Sequence, residues 1–219
     1  MNQEILNFLG MIGVNNQFIS LYDGSIFINN LKFSRFSRRK EELFLAKHPD
    51  WKVVRSKIFQ KMCVRASRIL SKPLNPGEKV FIEKNSRRAN LALYIILEPY
   101  TRRYGIEIIC NDNLNLAQPD EVDLMASPLT LDQEVENIIH QMIQGEKIET
   151  TISKGKSKLK TIYPLINIPD SWIESWVNEY GFTCSSSSVD IVSSDLLEFL
   201  EEFIPDVREN MLKSALFVS

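Results

Sequence analysis

The segment KVFIEKNSRRANLALYII, residues 79–96, constrains the fold of this chain more than any other stretch. Its apolar residues 80–82 predict a short strand, the polar residues 85–88 predict a turn, and the Ala- and Leu-rich residues that follow predict a helix. In α/β proteins such a corner normally binds phosphate at the helix N-terminus, and its loop uses glycine because the backbone must approach the phosphate at positive φ. Residues 79–103 contain no glycine. The sequence therefore predicts the frame of a phosphate loop without its usual binding residues.

The elements around this corner alternate between strand and helix patterns. We expect strands at 79–83, 106–110 and 121–126, an apolar segment at 162–168, and helices at 87–103, 131–144, 170–180, 193–203 and 205–216. Alternation of this kind predicts an α/β fold with a parallel sheet, flanking helices and right-handed crossovers.

The first third of the chain has a different pattern. Short apolar runs on both sides of Asp23-Gly24 predict a β-hairpin within residues 17–30, because Asp-Gly is a strong two-residue turn signal. Apolar residues then recur at helical spacing from 37 to 70, Val53 and Val54 among them, with a break expected near 48–50. We therefore predict an N-terminal hairpin and helical segment at 1–72 and an α/β domain at 73–219.

Composition argues against several classes of protein. Cys63, Cys110 and Cys184 are scattered, so they predict neither a disulfide framework nor a metal knuckle, and with only His48 and His140 besides we expect no metal site. We interpret Cys110 as a core residue at a strand end. The chain lacks an apolar run of about 20 residues, and its first residues lack a secretory signal pattern, so we expect a cytoplasmic protein that is not in a membrane.

The two halves of the chain have opposite charge. Formal net charge is −2, yet residues 1–103 contain 19 Lys and Arg against 8 Asp and Glu, whereas residues 104–219 contain 7 against 20. Two solvated faces without a partner would also give this pattern. A separation of this size favours a basic surface for a polyanion, joined to an acidic half that avoids it.

Three basic clusters are candidates for the polyanion contact. Their members are Lys32, Arg35, Arg38, Arg39 and Lys40 in the first cluster, Lys57, Lys61, Arg65 and Arg68 in the second, and Lys154, Lys156, Lys158 and Lys160 in the third. Phe33 and Phe36 interleave with the first cluster, as in proteins that contact phosphates and bases together. The second cluster predicts one helix face, and the alternating third predicts one side of an extended strand. Each cluster alone is typical of a solvated surface, whereas the three together favour binding.

Four segments occur in a familiar order: the corner at 79–96, SPLTLDQEVENIIHQMIQGE at 127–146, KTIYPLINIPDSWIESWVNEYGF at 160–182 and SDLLEFLEEFIPDVRENMLKSAL at 194–216. Together they resemble the PP-loop ATPase superfamily, and within it the group that thiolates tRNA. The resemblance covers roughly residues 56–216. It implies a PP-loop ATPase-like fold, also called adenine nucleotide alpha hydrolase-like, and it implies tRNA as the polyanion.

The departures from this superfamily fall on the residues that perform its chemistry. The phosphate loop corresponds here to Asn85, Ser86, Arg87, Arg88, Ala89 and Asn90. Arginines stand where the loop needs glycine, and Ala89 replaces its carboxylate. In the second segment Asp132 and Glu136 match the family motif, whereas its glycine, histidine and second aspartate are replaced by Pro128, Leu129 and Gln133. The resemblance therefore implies a degenerate nucleotide loop that holds no cofactor, and a remnant of the second motif.

The chain also lacks residues that the superfamily uses for its sulfur chemistry. Active members have a cysteine between the second and third strands, and residues 111–120 contain none. Cys184 corresponds to a second sulfur-handling cysteine of some relatives, but without a partner it cannot perform a two-cysteine relay. Many relatives begin with a zinc ribbon, so the hairpin at 17–30 is either a remnant of that ribbon without ligands or a plain hairpin.

A frame kept without its chemistry is typical of the cytoplasmic tRNA 2-thiolation protein 2 family, which resembles a degenerate copy of the catalytic subunit. The resemblance implies a non-catalytic subunit that forms a heterodimer with the catalytic tRNA 2-thiolation subunit, helps bind tRNA and acts with a ubiquitin-like sulfur carrier. Two alternatives stay open: a divergent active PP-loop ATPase that modifies tRNA, and a stand-alone RNA-binding protein on the same fold. Whether the chain is an enzyme on its own is left open, and a pseudo-enzyme is favoured.

Overall fold

The computed structural model describes residues 2–111, 122–153, 159–184 and 191–218. In chain order the elements are α1 (Asn2–Met11), β1 (Ile19–Tyr22), β2 (Ser25–Ile28), α2 (Leu31–Ser34), α3 (Arg38–Lys47), β3 (Lys52–Val54), α4 (Lys57–Leu70), β4 (Lys79–Glu83), α5 (Arg88–Leu97), α6 (Tyr100–Arg103), β5 (Glu107–Asn111), β6 (Leu124–Ala126), α7 (Leu131–Ile143), β7 (Lys160–Ile162), α8 (Asp170–Glu179), α9 (Ile191–Glu201) and α10 (Val207–Val218). Within these ranges no helix combines the length and the apolarity needed to cross a membrane.

Strands between residues 79 and 162 build a parallel sheet. Its four described strands lie in the order β5-β4-β6-β7, and each neighbouring pair is parallel. β4 is central, with Val80 opposite Ile108 on one side and Leu124 on the other. The expected α/β architecture with a parallel sheet and flanking helices is confirmed. The structure also confirms the strand predicted at 79–83, which is β4. The sequence signal for this strand was a short apolar run bounded by polar residues.

The predicted hairpin forms at its predicted turn. Asp23 and Gly24 both have positive φ, 43° and 65°, as a two-residue type I′ turn requires, and Tyr22 pairs with Ser25 across it. Val53 and Val54 differ from the prediction of a helix. They form β3, which pairs in parallel with β2, because pairing with the exposed strand edge satisfies backbone groups that a helix would have satisfied internally.

Caps fix the ends of the helices. Ser56 accepts a hydrogen bond from the amide of Phe59 at the start of α4, and Thr130 and Gln133 form a capping box at the start of α7. The helix predicted at 87–103 is divided in the structure, because Pro99 cannot donate the hydrogen bond that would continue α5 into α6.

An aromatic cluster joins the hairpin to the helices of the α/β part. The Phe27 ring of β2 lies 5.6 Å from both the Phe59 ring of α4 and the Trp176 ring of α8, and Phe59 and Trp176 stack at 5.1 Å. All three side chains are fully buried. Phe27 therefore belongs to the same hydrophobic cluster as β4 residues, while a second cluster lies between α1, α3 and the hairpin. The division of the chain at residue 72 stays a prediction.

A buried ion pair fixes the other side of the hairpin. The Glu98 carboxylate pairs with Arg102 and also accepts a hydrogen bond from the Leu21 amide at 3.1 Å. The Arg102 guanidinium donates in addition to the carbonyls of Asn16 at 3.0 Å and Ile19 at 2.7 Å. Because the side chains of Arg102 and Glu98 are only 18% and 12% exposed, removing one partner leaves the other charge buried.

We expect Arg102→Ala to lower the free energy of unfolding by about 3–5 kcal/mol, the usual cost of leaving one charge of a buried pair without its partner. Urea unfolding followed by circular dichroism measures this change. Arg39→Ala, which removes an exposed arginine, is the matched control and should change stability by less than about 0.5 kcal/mol. A loss below about 1 kcal/mol for Arg102→Ala would contradict the structural role of the pair.

Candidate nucleic-acid interface

The predicted phosphate corner lies between the end of β4 and the start of α5. The Asn85 side chain accepts a hydrogen bond from the Arg87 amide at 3.0 Å, which closes a local turn. The Asn90 amide group donates to the Glu83 carbonyl at 2.6 Å and ties the first turn of α5 to the strand. Arg87 occupies the N-cap position and makes no side-chain capping bond. The corner is held by side chains, and no glycine contributes to it.

The backbone of this corner does not have the conformation of a phosphate cradle. A concave nest of amide groups needs residues that alternate between right- and left-handed conformations. All residues of the corner are described, and none of residues 84–90 has positive φ. The Arg88 guanidinium instead pairs with Glu174 of α8 at 2.5 Å. The described backbone of residues 84–90 therefore does not form a nest of alternating right- and left-handed residues.

The space in front of the corner is small and partly acidic. A cavity of about 260 Å³ is lined by the corner residues Asn85, Ser86 and Arg87 together with Tyr22, Asp23, Leu91, Phe182, Thr183 and Cys184. Pockets for small molecules usually measure about 300–1,000 Å³. Asp23 places a carboxylate in the lining, and a carboxylate repels a triphosphate. The cavity in front of the corner is thus smaller than most small-molecule pockets and contains one acidic and one basic lining residue.

The cysteines lack the surroundings of reactive thiols. Burial raises the pKa of Cys184, although Arg88 acts in the opposite direction, so the thiol is protonated and weakly nucleophilic at neutral pH. Burial also raises the pKa of Cys63. Cys110 is exposed, so its interpretation as a core residue is wrong: it lies near the end of β5, the outer strand among the described strands of this sheet, where its side chain meets solvent. Among the described residues no three His, Cys, Asp or Glu side chains are grouped as metal ligands.

The two residues of the second motif face the C-terminal helix α10. The Asp132 carboxylate pairs with Arg208 and accepts a hydrogen bond from the Asp170 amide at 2.6 Å. Burial lowers the pKa of Arg208, but the hydrogen bond to Glu201 and the charges of Asp132, Glu201 and Glu136 outweigh it and raise that pKa. Burial raises the pKa of Asp170 to about 6; the hydrogen bond with Thr130 and the charge of Arg208 oppose this shift, and the charge of Asp132 adds to it. In this structure Asp132 and Glu136 hold α7 and α10 together electrostatically.

Part of the first basic cluster is engaged in local structure. Lys40 donates to the carbonyls of Gly13 at 2.6 Å and Arg35 at 2.9 Å, and Arg38 pairs with Glu41 at 3.3 Å. Lys32, Arg35 and Arg39 are exposed. Of the two phenylalanines, Phe36 is buried in the N-terminal core, whereas the side chain of Phe33 is 52% exposed. Only Phe33 is therefore accessible to a base.

The second cluster follows α4 as predicted. The buried face of α4 consists of Phe59, Met62, Ala66 and Leu70, and Lys57, Lys61 and Arg68 are exposed away from it. The Arg65 guanidinium donates to the Asn167 carbonyl at 2.6 Å and pairs with Glu209 at 3.2 Å, so its charge is partly compensated.

Most of the third cluster lies outside the described residues. Lys154, Lys156 and Lys158 fall in the interval between 153 and 159. Lys160 is the first residue of β7, where its ammonium group donates to the Pro73 carbonyl and lies 3.8 Å from Glu78. The ammonium group of Lys160 thus contacts groups of this chain.

A groove brings Lys32 of the first cluster together with Lys61, Arg65 and Arg68 of the second. It has a volume of about 630 Å³ and is lined by Asn29, Asn30, Leu31, Lys32, Gln60, Lys61, Val64, Arg65, Arg68 and Trp172; we call it the α2–α4 groove. Trp172 of α8 was missed by the sequence analysis. Lys61 and Arg65 lie over its ring, with the Lys61 nitrogen and the Arg65 guanidinium carbon 5.5 and 4.4 Å from the ring centroid. No sequence signal linked Trp172 to α4, because about 110 residues separate them and only the packing of α8 on α4 brings them together.

Comparison with known proteins gives a structural likeness and no sequence match. No protein-family model and no curated protein matches the sequence. Among solved structures, the chain is similar to the U34-tRNA thiolase NcsA from Methanococcus maripaludis, described with its 4Fe–4S cluster, at 14% sequence identity and a TM-score of 0.58. The similarity covers 77% of this chain and 81% of that chain. At this identity the likeness shows the fold alone, and it confirms the expected PP-loop ATPase-like fold.

The raised pKa of Asp170 makes a testable prediction about stability. The pKa of Asp170 is about 6 in the folded protein and 3.8 ordinarily, so the folded state binds this proton more tightly than the unfolded state. The stabilising effect of the protonated carboxyl is therefore complete below pH 3.8 and is lost as pH rises through about 6. Asp170→Asn should remove this loss, so its free energy of unfolding relative to wild type should rise by about 1–3 kcal/mol between pH 4 and pH 8. Urea unfolding at several pH values measures this change. Asp206→Asn, at an exposed position, should keep the pH profile of the wild-type protein. Parallel pH profiles for Asp170→Asn and wild type would disprove the prediction.

Proposed function

We propose that this chain is the non-catalytic subunit of a cytoplasmic complex that 2-thiolates the wobble uridine of tRNA. In this proposal it forms a heterodimer with the catalytic PP-loop subunit and contributes part of the tRNA-binding surface. One observation supports it above the others: the fold matches that of a U34-tRNA thiolase, while the corner that should hold a nucleotide has neither glycine nor a residue at positive φ.

The division of labour follows from the chemistry that each subunit can perform. Adenylation of a uridine carbonyl oxygen needs a phosphate cradle, and the corner at 84–90 does not form one. The activating nucleotide would therefore bind to the partner, as would the sulfur received from a ubiquitin-like carrier. This chain has exposed cations on α2 and α4 that form no ion pair with a described carboxylate, and such cations would neutralise RNA phosphates. Asp132 and Glu136 would stay as structural residues at the base of α10.

Two alternatives make different predictions. A divergent active ATPase would bind nucleotide through Arg87, since an arginine can hold a phosphate through paired hydrogen bonds. A stand-alone RNA-binding protein would bind tRNA tightly as a monomer and would have no effect on thiolation.

The content of 2-thiouridine in tRNA tests the proposed function directly. In cells depleted of this protein we expect wobble 2-thiouridine to disappear, as measured by mass spectrometry of tRNA nucleosides, and to return with the wild-type chain. Because the corner has no catalytic role in the proposal, the variant Ser86→Ala, Arg87→Ala should restore it equally well. Unchanged 2-thiouridine after depletion would refute the proposal and would leave the RNA-binding alternative.

Nucleotide binding separates the proposal from the divergent ATPase. Isothermal titration of the isolated chain with Mg·ATP should give no binding heat at millimolar nucleotide, because the cavity is small and contains Asp23. Asp23→Asn removes the carboxylate without changing the turn, since asparagine also accepts positive φ; because the cavity stays small, this variant should still not bind Mg·ATP. Binding of Mg·ATP that Arg87→Ala abolishes would favour an active ATPase.

A further inference from the structure

The α2–α4 groove combines exposed cations with exposed apolar side chains. Lys32, Lys61 and Arg68 line it, and none of them forms an ion pair with a carboxylate of the described residues. By contrast Arg55, close in sequence, is paired with Glu41 at 2.8 Å. Three cations without a carboxylate partner among the described residues, at one concave site, produce a positive potential that a polyanion would reduce.

The floor of the groove is apolar although it meets solvent. Leu31 is 48% exposed and Val64 is 41% exposed, and both lie among the cations. The wall on the α8 side is the Trp172 ring with the Arg65 guanidinium stacked over it. A basic rim around apolar and planar groups is the composition of surfaces on which nucleic-acid bases stack while their phosphates meet cations.

The groove continues past the end of α2. A second cavity of about 200 Å³ shares Asn29, Asn30 and Val64 with it and extends to Phe33 and Arg103. The Arg103 guanidinium carbon lies 4.7 Å from the centroid of the Tyr100 ring, which fixes a fourth cation at this end. The two cavities are therefore adjacent, and both have cations and planar groups in their linings.

We infer that the α2–α4 groove binds an unpaired segment of RNA, with phosphates on Lys32, Lys61 and Arg68 and bases on the apolar floor. This deepens the proposed function and rests on it for the identity of the RNA as tRNA. Duplex RNA presents phosphates and ribose hydroxyls on a convex surface and cannot place bases on Leu31 and Val64, whereas an unpaired loop can. An acidic protein segment would satisfy the cations, but the planar groups favour flat bases.

The test is equilibrium binding of the full chain to a fluorescein-labelled, unstructured RNA of roughly 12 nucleotides, a length within the usual site sizes for single strands. Fluorescence anisotropy gives the affinity over a range of salt concentrations. Lys61→Ala, Arg68→Ala should weaken binding about tenfold or more and reduce the salt slope by about 1.4, since each lost phosphate contact removes about 0.7. Lys79→Ala, Lys213→Ala removes the same charge from exposed positions outside the groove and should change affinity less than about twofold.

A second variant tests the apolar floor without changing charge. Leu31→Ser, Val64→Ser should weaken binding about fivefold and leave the salt slope unchanged, because it removes base contacts and keeps the phosphate contacts. Binding should quench tryptophan fluorescence in wild type but not in Trp172→Phe, because Trp172 lines the groove. Thermal unfolding of every variant shows that the fold is kept.

Three results would overturn the inference. Equal losses for the groove and control lysine variants would mean diffuse electrostatic attraction. The inference would also be wrong if duplex RNA of the same length bound as tightly as the single strand and Leu31→Ser, Val64→Ser had no effect. The groove would then contact only phosphates and no bases. A peptide of alternating Glu and Leu bound more tightly than the RNA would mean a protein partner.

The binding assay involves no thiolation, so the two proposals can fail separately. If depletion leaves 2-thiouridine unchanged and the groove variants still lose RNA, the function is wrong and the groove site stands. If depletion abolishes 2-thiouridine and the groove variants bind RNA as wild type does, the function stands and the groove inference is overturned.

Discussion

The packing of Phe27 against Phe59 and Trp176 is the contact on which the rest of the structure depends. These three fully buried rings come from β2, α4 and α8, which are distant in sequence, and they meet with centroids 5.1–5.6 Å apart. Burial of large aromatic side chains dominates core energetics and favours defined ring geometry. The contact therefore fixes the hairpin and two helices relative to the sheet. With them it fixes the α2–α4 groove and the corner after β4.

Helix α8 has opposite effects on these two surfaces. From its first turns Trp172 forms a wall of the α2–α4 groove, whereas Glu174 draws Arg88 away from the corner after β4. Just beyond α8, Phe182 lies against Phe27 and also lines the small cavity in front of that corner. The packing that opens a basic groove on one side thus restricts the nucleotide corner on the other. A protein that binds RNA without using a nucleotide would have both properties.

The fold places the basic residues of the first half and the acidic residues of the second half at different sites. The unpaired cations of the groove belong to the basic first half, while Asp132, Asp170 and Glu201 surround Arg208 in the acidic second half. Of these, Asp132 joins α7 to Arg208 of α10, and none of the three lines the groove. Among the described residues the groove lining contains no carboxylate, and Glu209 beside it is paired with Arg65, so repulsion of a polyanion there is small.

The sequence by itself determined the local elements and the loss of the phosphate cradle. Local features depend on neighbours within a few residues, so the sequence predicts them. They include the Asp-Gly turn, the caps at Ser56 and Thr130, and the apolar run of β4. The prediction was wrong for Val53 and Val54, because a strand at the sheet edge is chosen by its partner β2 and not by its own periodicity. Only the tertiary structure decided which cations lack a carboxylate partner among the described residues. Lys40 and Lys160 are engaged by backbone carbonyls, whereas Lys32, Lys61 and Arg68 meet across the groove beside Trp172. The side chains of that groove come from segments up to about 140 residues apart, so their meeting is a property of packing and leaves no local signal in the sequence.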